Sequence, residues 1–300
     1  MNLLKNILFC IFFLFLFTVK SQTDTTNSVN NKRLILLLSS ETIAYSSTIV
    51  GLNILWYKDY DHSSFHFFND NKEWLQIDKV GHFYTSYYLN NILSSGFEWS
   101  GIEKNKSVLY GGGLSFIFIS TIEIFDGFSE KWGASWSDMI ANTGGIILYA
   151  GQEKLWSEQR IIPKFSFTRS TIYSCRPDAL GVNLIENIFK DYNGQTYWLS
   201  GNINSFLKID GFPNWLNIAF GYGAENMLGG MDNSNLGCCD FVIPLERYRQ
   251  YYFSLDIDLR KIKTNSKILG TCFQIFNSVK VPFPTIEINK YRIRFHPLFF

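Results

Sequence analysis

The chain has 300 residues, 46% of them hydrophobic and 18% charged, and a net charge of +1. A near-neutral chain without a basic cluster excludes a partner held through nucleic-acid phosphates, and the charged share lies below the roughly 25% usual in soluble domains. Aromatic residues make up 17%, with 28 Phe, 16 Tyr and 8 Trp, an excess that suits lipid interfaces or aromatic-rich strands.

Residues 1–21 read as a signal peptide. Lys5 supplies the positive start, Ile7 to Val19 the apolar run, and Val19 and Ser21 the small residues before a cleavage site at Gln22. The run is short for a spanning helix, which needs about 20 residues. Residues 22–32 are polar and read as a disordered lead-in. Cys10 leaves with the signal, so Cys175, Cys238, Cys239 and Cys272 remain. In an oxidising compartment they allow three complete pairings, which spacing does not rank.

From residue 33 to 160 the chain is apolar and interrupted by Gly, Ser and Thr. Residues 33–57, 80–97, 107–125 and 136–156 predict four helices, a module suited to membrane embedding. Gly111, Gly112, Gly113, Gly144 and Gly145 would weaken soluble helices but allow close packing between membrane helices. From 161 to 300 the period changes to two. In "YYFSLDIDLRK", Tyr251, Phe253, Leu255 and Ile257 alternate with Tyr252, Ser254, Asp256 and Asp258, a half-buried strand with one polar face. "TYWLSGNI", "LNIAFGYG" and "YRIRF" alternate likewise. The predicted fold class is therefore α+β: an N-terminal four-helix module followed by a β-rich antiparallel region. A membrane barrel needs at least eight strands and only five or six are legible, so the strands are expected to pack on one another or on the helices.

Six polar residues stand in the apolar half: Asp78, His82, Glu123, Asp126, Asp138 and Asn142. The pairs Asp78/His82 and Asp138/Asn142 are four apart and Glu123/Asp126 three apart, so each pair shares a helix face. Carboxylates with one imidazole suit a divalent cation, for which Asp78, His82, Glu123, Asp126 and Asp138 are the candidate ligands. A His–carboxylate pair also suits acid–base work, with His82, Glu123 and Asp138 as the candidates. Plainer roles exist. Asp78 stands where a helix cap belongs, "SWSD" (Ser135 to Asp138) has capping-box spacing, and Asp126-Gly127 reads as a helix stop. His82, Glu123 and Asn142 resist such readings, because an ionisable group in an apolar helix needs a partner. A structural polar network of Asp78, His82, Glu123 and Asn142 meets that need.

The segments "DKVGHF", "EIFDGFSEKWGASWSDMIAN" and "TGG" resemble an uncharacterised family of predicted periplasmic lipoproteins from Gram-negative envelopes. Their order also resembles VanZ-like membrane proteins, which are small helical bundles. On that resemblance Asp78, His82, Glu123, Asp138 and Asn142 match the family pattern, and no reaction comes with it. A lipoprotein needs a cysteine directly after its apolar run, whereas Cys10 lies inside the run, which argues against lipidation. The expectation is an exported, membrane-associated envelope protein with a structural or interaction role, partnered by membrane lipid or an envelope component. The alternative is a membrane-embedded enzyme or lipid-binding protein that uses the His/carboxylate cluster on envelope lipid.

Overall fold

In the computed structural model the structure describes residues 28–54, 61–233 and 245–300. The signal peptide, most of the lead-in, Cys238 and Cys239 lie outside the described residues. Four long helices come first: α1 (Asn31–Leu52), α2 (Ile77–Trp99), α3 (Lys104–Gly127) and α4 (Trp136–Trp156). Six strands follow: β1 (Ile161–Phe167), β2 (Gln195–Asn202), β3 (Leu216–Glu225), β4 (Tyr248–Ile257), β5 (Phe283–Asn289) and β6 (Ile293–Phe299). Short helices α5 (Pro177–Leu180), α6 (Leu184–Lys190), α7 (Ile203–Leu207) and α8 (Lys267–Phe276) fill the connections. The class is α+β, with the helices mostly N-terminal and the sheet C-terminal. Cys175 is disulfide-bonded, whereas Cys272 is a free thiol.

The chain divides into two compact units, one of residues 1–69 and 85–158, the other of 70–84 and 159–300. The first two turns of α2 thus go with the strands. In the first unit, the helices approach through small residues. A methyl group on Gly111 of α3 would stand 2.4 Å from Ser94 Oγ and 2.7 Å from the Ser94 backbone nitrogen of α2. Contact that close leaves no room for any side chain, which is the packing that glycine permits in membrane helices. Tyr45 of α1 donates to Thr121 of α3 at 3.0 Å, and the Tyr87 and Tyr149 rings of α2 and α4 meet edge-on at 5.6 Å. Ser135 caps α4 by accepting from the Asp138 amide at 3.1 Å, as its spacing predicts, and α3 ends at Gly127.

In the second unit the strands form one antiparallel meander in the order β1-β2-β3-β4-β5-β6. The sheet is rolled. Adjacent strands lie about 4.8 Å apart, so β2 and β6 would be about 19 Å apart in a flat sheet. Yet the Trp198 and Phe299 rings are 6.0 Å apart, and Phe299 also packs on Tyr252 of β4 at 4.7 Å. Just past β1, Thr168 donates to the Phe300 carbonyl at 2.8 Å. A bulge between Phe283 and Thr285 shifts the β5–β6 register and adds local bend. Among the described residues, no ladder joins β1 to β6.

The polarity of the roll departs from the usual rule for a half-buried strand. On β4 the polar residues Gln250, Tyr252, Ser254 and Asp256 are buried, while Tyr251, Phe253 and Leu255 are exposed. The register aligns Leu199, Phe220, Phe253, Ile286 and Phe295 across five strands, and each of these side chains is exposed. Among all described residues, buried polar side chains outnumber buried apolar ones.

Candidate functional site

Two sets of sequence-predicted residues fall in different units. Asp78 and His82 belong to the second; Glu123, Asp126, Asp138 and Asn142 belong to the first.

In the second unit, the approach to α2 is conformationally unusual. Trp74, Leu75 and Gln76 have φ of 46°, 50° and 68°, a region that costs a residue with a side chain on the order of 1 kcal/mol or more. Neighbours hold each one there. The Trp74 amide donates to the Gly230 carbonyl at 2.7 Å, the Tyr222 hydroxyl donates to the Leu75 carbonyl, and Arg249 donates to Gln76 Oε1 at 2.6 Å. Ile77 then anchors the helix start in a cluster with Ala224 and Met227. The result fixes Asp78 one residue inside α2 rather than at its cap, which corrects the capping expectation for that residue.

Asp78 Oδ1 accepts from the Tyr192 hydroxyl at 3.0 Å, and Oδ2 pairs with Lys79 Nζ at 3.0 Å. Lys79 also pairs with Asp70, so one ammonium sits between two carboxylates. His82 Nε2 lies one turn on, 3.8 Å from Asp78 Oδ1, which is outside hydrogen-bond range. Burial by itself would push the Asp78 carboxyl up; His82, Lys79 and Tyr192 outweigh it and hold the group below the usual carboxylate range. Glu73 moves the other way, raised first by burial and then by Asp78 and Asp70. Asp78 is therefore a fixed anion whose oxygens are already engaged, suited to positioning and charge balance. A depressed carboxyl contributes stability that is present above its unfolded value of about 3.9 and lost as pH falls through its folded value. Asp78→Asn is expected to remove that part of the acid dependence, and acid titrations of the two proteins followed by circular dichroism would check it; superimposable acid limbs would contradict the assignment.

In the first unit, Glu123 Oε2 accepts from the Ser135 amide at 3.2 Å. This carboxylate links the end of α3 to the capped start of α4. Asp138 and Asn142 follow on one buried face of α4, whereas Asp126 is only partly buried near the end of α3. Within this unit these groups form part of the helix-end scaffold.

The polar groups that the sequence reading passed over line the inside of the roll. Asp256 Oδ2 pairs with Lys164 Nζ at 2.7 Å, with both side chains 0% exposed. Lys280, equally buried, stands 3.7 Å from Asp256 Oδ1 and donates to the Leu255 and Val281 carbonyls at 2.8 and 2.7 Å. Ser200 donates to Asp256 at 2.6 Å and accepts from Asn217 at 2.9 Å. A second group joins Glu287 to His296 at 2.6 Å and to Gln250 at 3.1 Å. The signal was the polar half of the alternation in "YYFSLDIDLRK", which marks a face but not its direction.

These observations define a class: a helical module of tightly packed small-residue helices combined with a rolled sheet that is polar inside and apolar outside. Residues 66–150 match the model of the family described as Predicted periplasmic lipoprotein (DUF2279). That stretch contains α2, α3 and most of α4, and with them all six polar candidates. No curated protein and no solved structure matches the chain.

Proposed function

We propose that this is an exported, periplasmic-side envelope protein whose helical module is embedded in a membrane, with a structural or interaction role. The family description supports the compartment. The observation that carries the membrane reading is the inverted polarity of α3. Its buried side is made mostly of small or polar residues, Ser107, Gly111, Gly112, Ser115, Glu123 and Gly127, with Val108 and Ile119 among them, while Leu109, Phe116, Ile117 and Ile124 are exposed. In water that arrangement wastes the apolar residues, whereas in lipid small residues pack and large apolar ones face the chains. At 24 residues α3 is long enough to cross a bilayer, as is α1 at 22. The test is fractionation of cells expressing the chain with its own leader, followed by an alkaline wash of the membranes. The protein is expected in the pellet; recovery in the supernatant would overturn the reading.

A second reading, acid–base chemistry on envelope lipid, is favoured by the His82 imidazole beside an ionised Asp78. His82→Ala separates the two. In a structural role the variant loses stability, read as a lower unfolding midpoint. In a catalytic role it keeps its midpoint and loses the cellular phenotype of the wild-type gene.

A further inference from the structure

The sheet carries an argument that the helices do not. Every strand has an outward row, and from β2 to β6 that row is apolar at its centre: Leu199, Phe220, Phe253, Ile286 and Phe295 stand side by side. The next rows repeat the pattern with Ile218 beside Leu255, and with Tyr251 beside Ile288. Lys164, Asp256 and Glu287 are on the other side, buried in hydrogen bonds and ion pairs, while Arg294 near the start of β6 is exposed. Arg249 is the charged residue on the outward row of β4, and it stands at the end of the strand beyond Tyr251.

A protein partner and a bilayer make different demands on such a face. A partner covers a patch, and the free protein keeps its own apolar core beneath it. Here the inside of the sheet holds Ser200, Asn217, Ser254 and Thr285 around one small cluster of Trp198, Ala219 and Tyr252, and the apolar outward row runs from β2 to β6. A bilayer asks for that: apolar residues outward at every depth, polar residues inward, aromatic residues toward the interfaces. The dimensions agree, since β3 and β4 have ten residues each and a tilted membrane strand has about 9–11. The connections at the far end from Arg249 agree as well. Phe206 and Leu207 of α7 and Ile268 and Phe276 of α8 are exposed there, as in helices lying in a membrane interface. Backbone polar groups must be satisfied in lipid, and on the outer edge of β1 those of Phe165 are, through the Ser278 carbonyl and the Lys280 amide at 2.9 Å each.

We infer that the outward face of the rolled sheet lies in the hydrocarbon of a lipid bilayer, so that the strand unit is itself membrane-inserted. The inference extends the membrane reading above to the second unit and rests on separate residues. The test places p-benzoylphenylalanine, one position at a time, at Phe220, Phe253 and Phe295 of the sheet and at Ile117 of α3. The purified full-length chain is reconstituted in vesicles of phosphatidylethanolamine and phosphatidylglycerol, irradiated, and read by mass spectrometry. The expected result is a mass increase of one phospholipid at the sheet positions, of the same order as at Ile117. Phospholipid at Ile117 with none at the sheet positions would overturn the inference and leave the helical reading intact. Adducts between two copies at the sheet positions would overturn it in favour of a self-interface. Absence of lipid at all four positions would remove both readings. Phe295 lies on the last strand, where the larger ring is accommodated most easily, so one position stays readable if a central substitution fails to fold.

Discussion

Asp256→Asn is expected to destabilise the sheet unit by about 3–5 kcal/mol, the cost of removing one partner from a buried ion pair. Asp256 is the counter-charge of both Lys164 and Lys280, and all three side chains are 0% exposed. Asparagine keeps the size but one acceptor only, so either Ser200 or the Val281 amide keeps its acceptor and the other meets an NH2 group. What it removes is the negative charge, leaving two ammonium groups inside the roll with carbonyls for company. A loss of that size is a large part of the roughly 5–15 kcal/mol that holds a typical domain together. Denaturant unfolding of the detergent-solubilised protein would measure it. The double variant Asp256→Asn with Lys280→Met is expected to recover part of the loss, because it restores neutrality for one of the two lysines. A single variant within about 0.5 kcal/mol of wild type, the range of ordinary surface changes, would show that the triad is not the centre of the roll's stability.

Phe253→Arg makes the second large prediction, and its sign depends on the surroundings. Phe253 is 49% exposed at the middle of β4, with Phe220 and Ile286 as its neighbours across the ladders. In water, arginine there would cover apolar surface with its stem and leave stability within about 0.5 kcal/mol. Facing lipid at mid-depth, it is expected to cost about 2–4 kcal/mol. Refolding into vesicles and titrating with denaturant gives the difference directly.

The secondary structure was legible because it depends on local spacing. Four apolar segments separated by polar and glycine-containing breaks gave α1 to α4 close to their observed bounds, and the alternation in "LNIAFGYG" and "YYFSLDIDLRK" gave β3 and β4. Two strands were missed for physical reasons. β1 contains Pro163 and Lys164, residues that break the usual apolar pattern; its lysine is buried only because Asp256 arrives from β4. β5 starts with Phe283-Pro284 and carries Glu287 inward, where Gln250 and His296 receive it. In the helical half, Ser135 capped α4 as its spacing implied, and its own amide went to Glu123 of α3. Asp78 did not cap its helix, since its place was set by the left-handed run at Trp74 to Gln76 and by Tyr192, over a hundred positions away.

By itself, then, the sequence determined the elements, their order and the two faces of each strand. Period two separates Phe253 from Ser254 whatever surrounds them. It carries no sign, however: the same alternation serves a strand in water with Phe253 inward and a strand in lipid with Phe253 outward. The tertiary structure decided the sign, by rolling the sheet until Trp198, Tyr252 and Phe299 met inside. It did so because Lys164 of β1 finds Asp256 only on β4, far along the chain, with Lys280 beside the same carboxylate, while Glu287 is received by Gln250 and His296 on the strands either side of it; once those charges are paired inward the apolar side chains have nowhere to go but out.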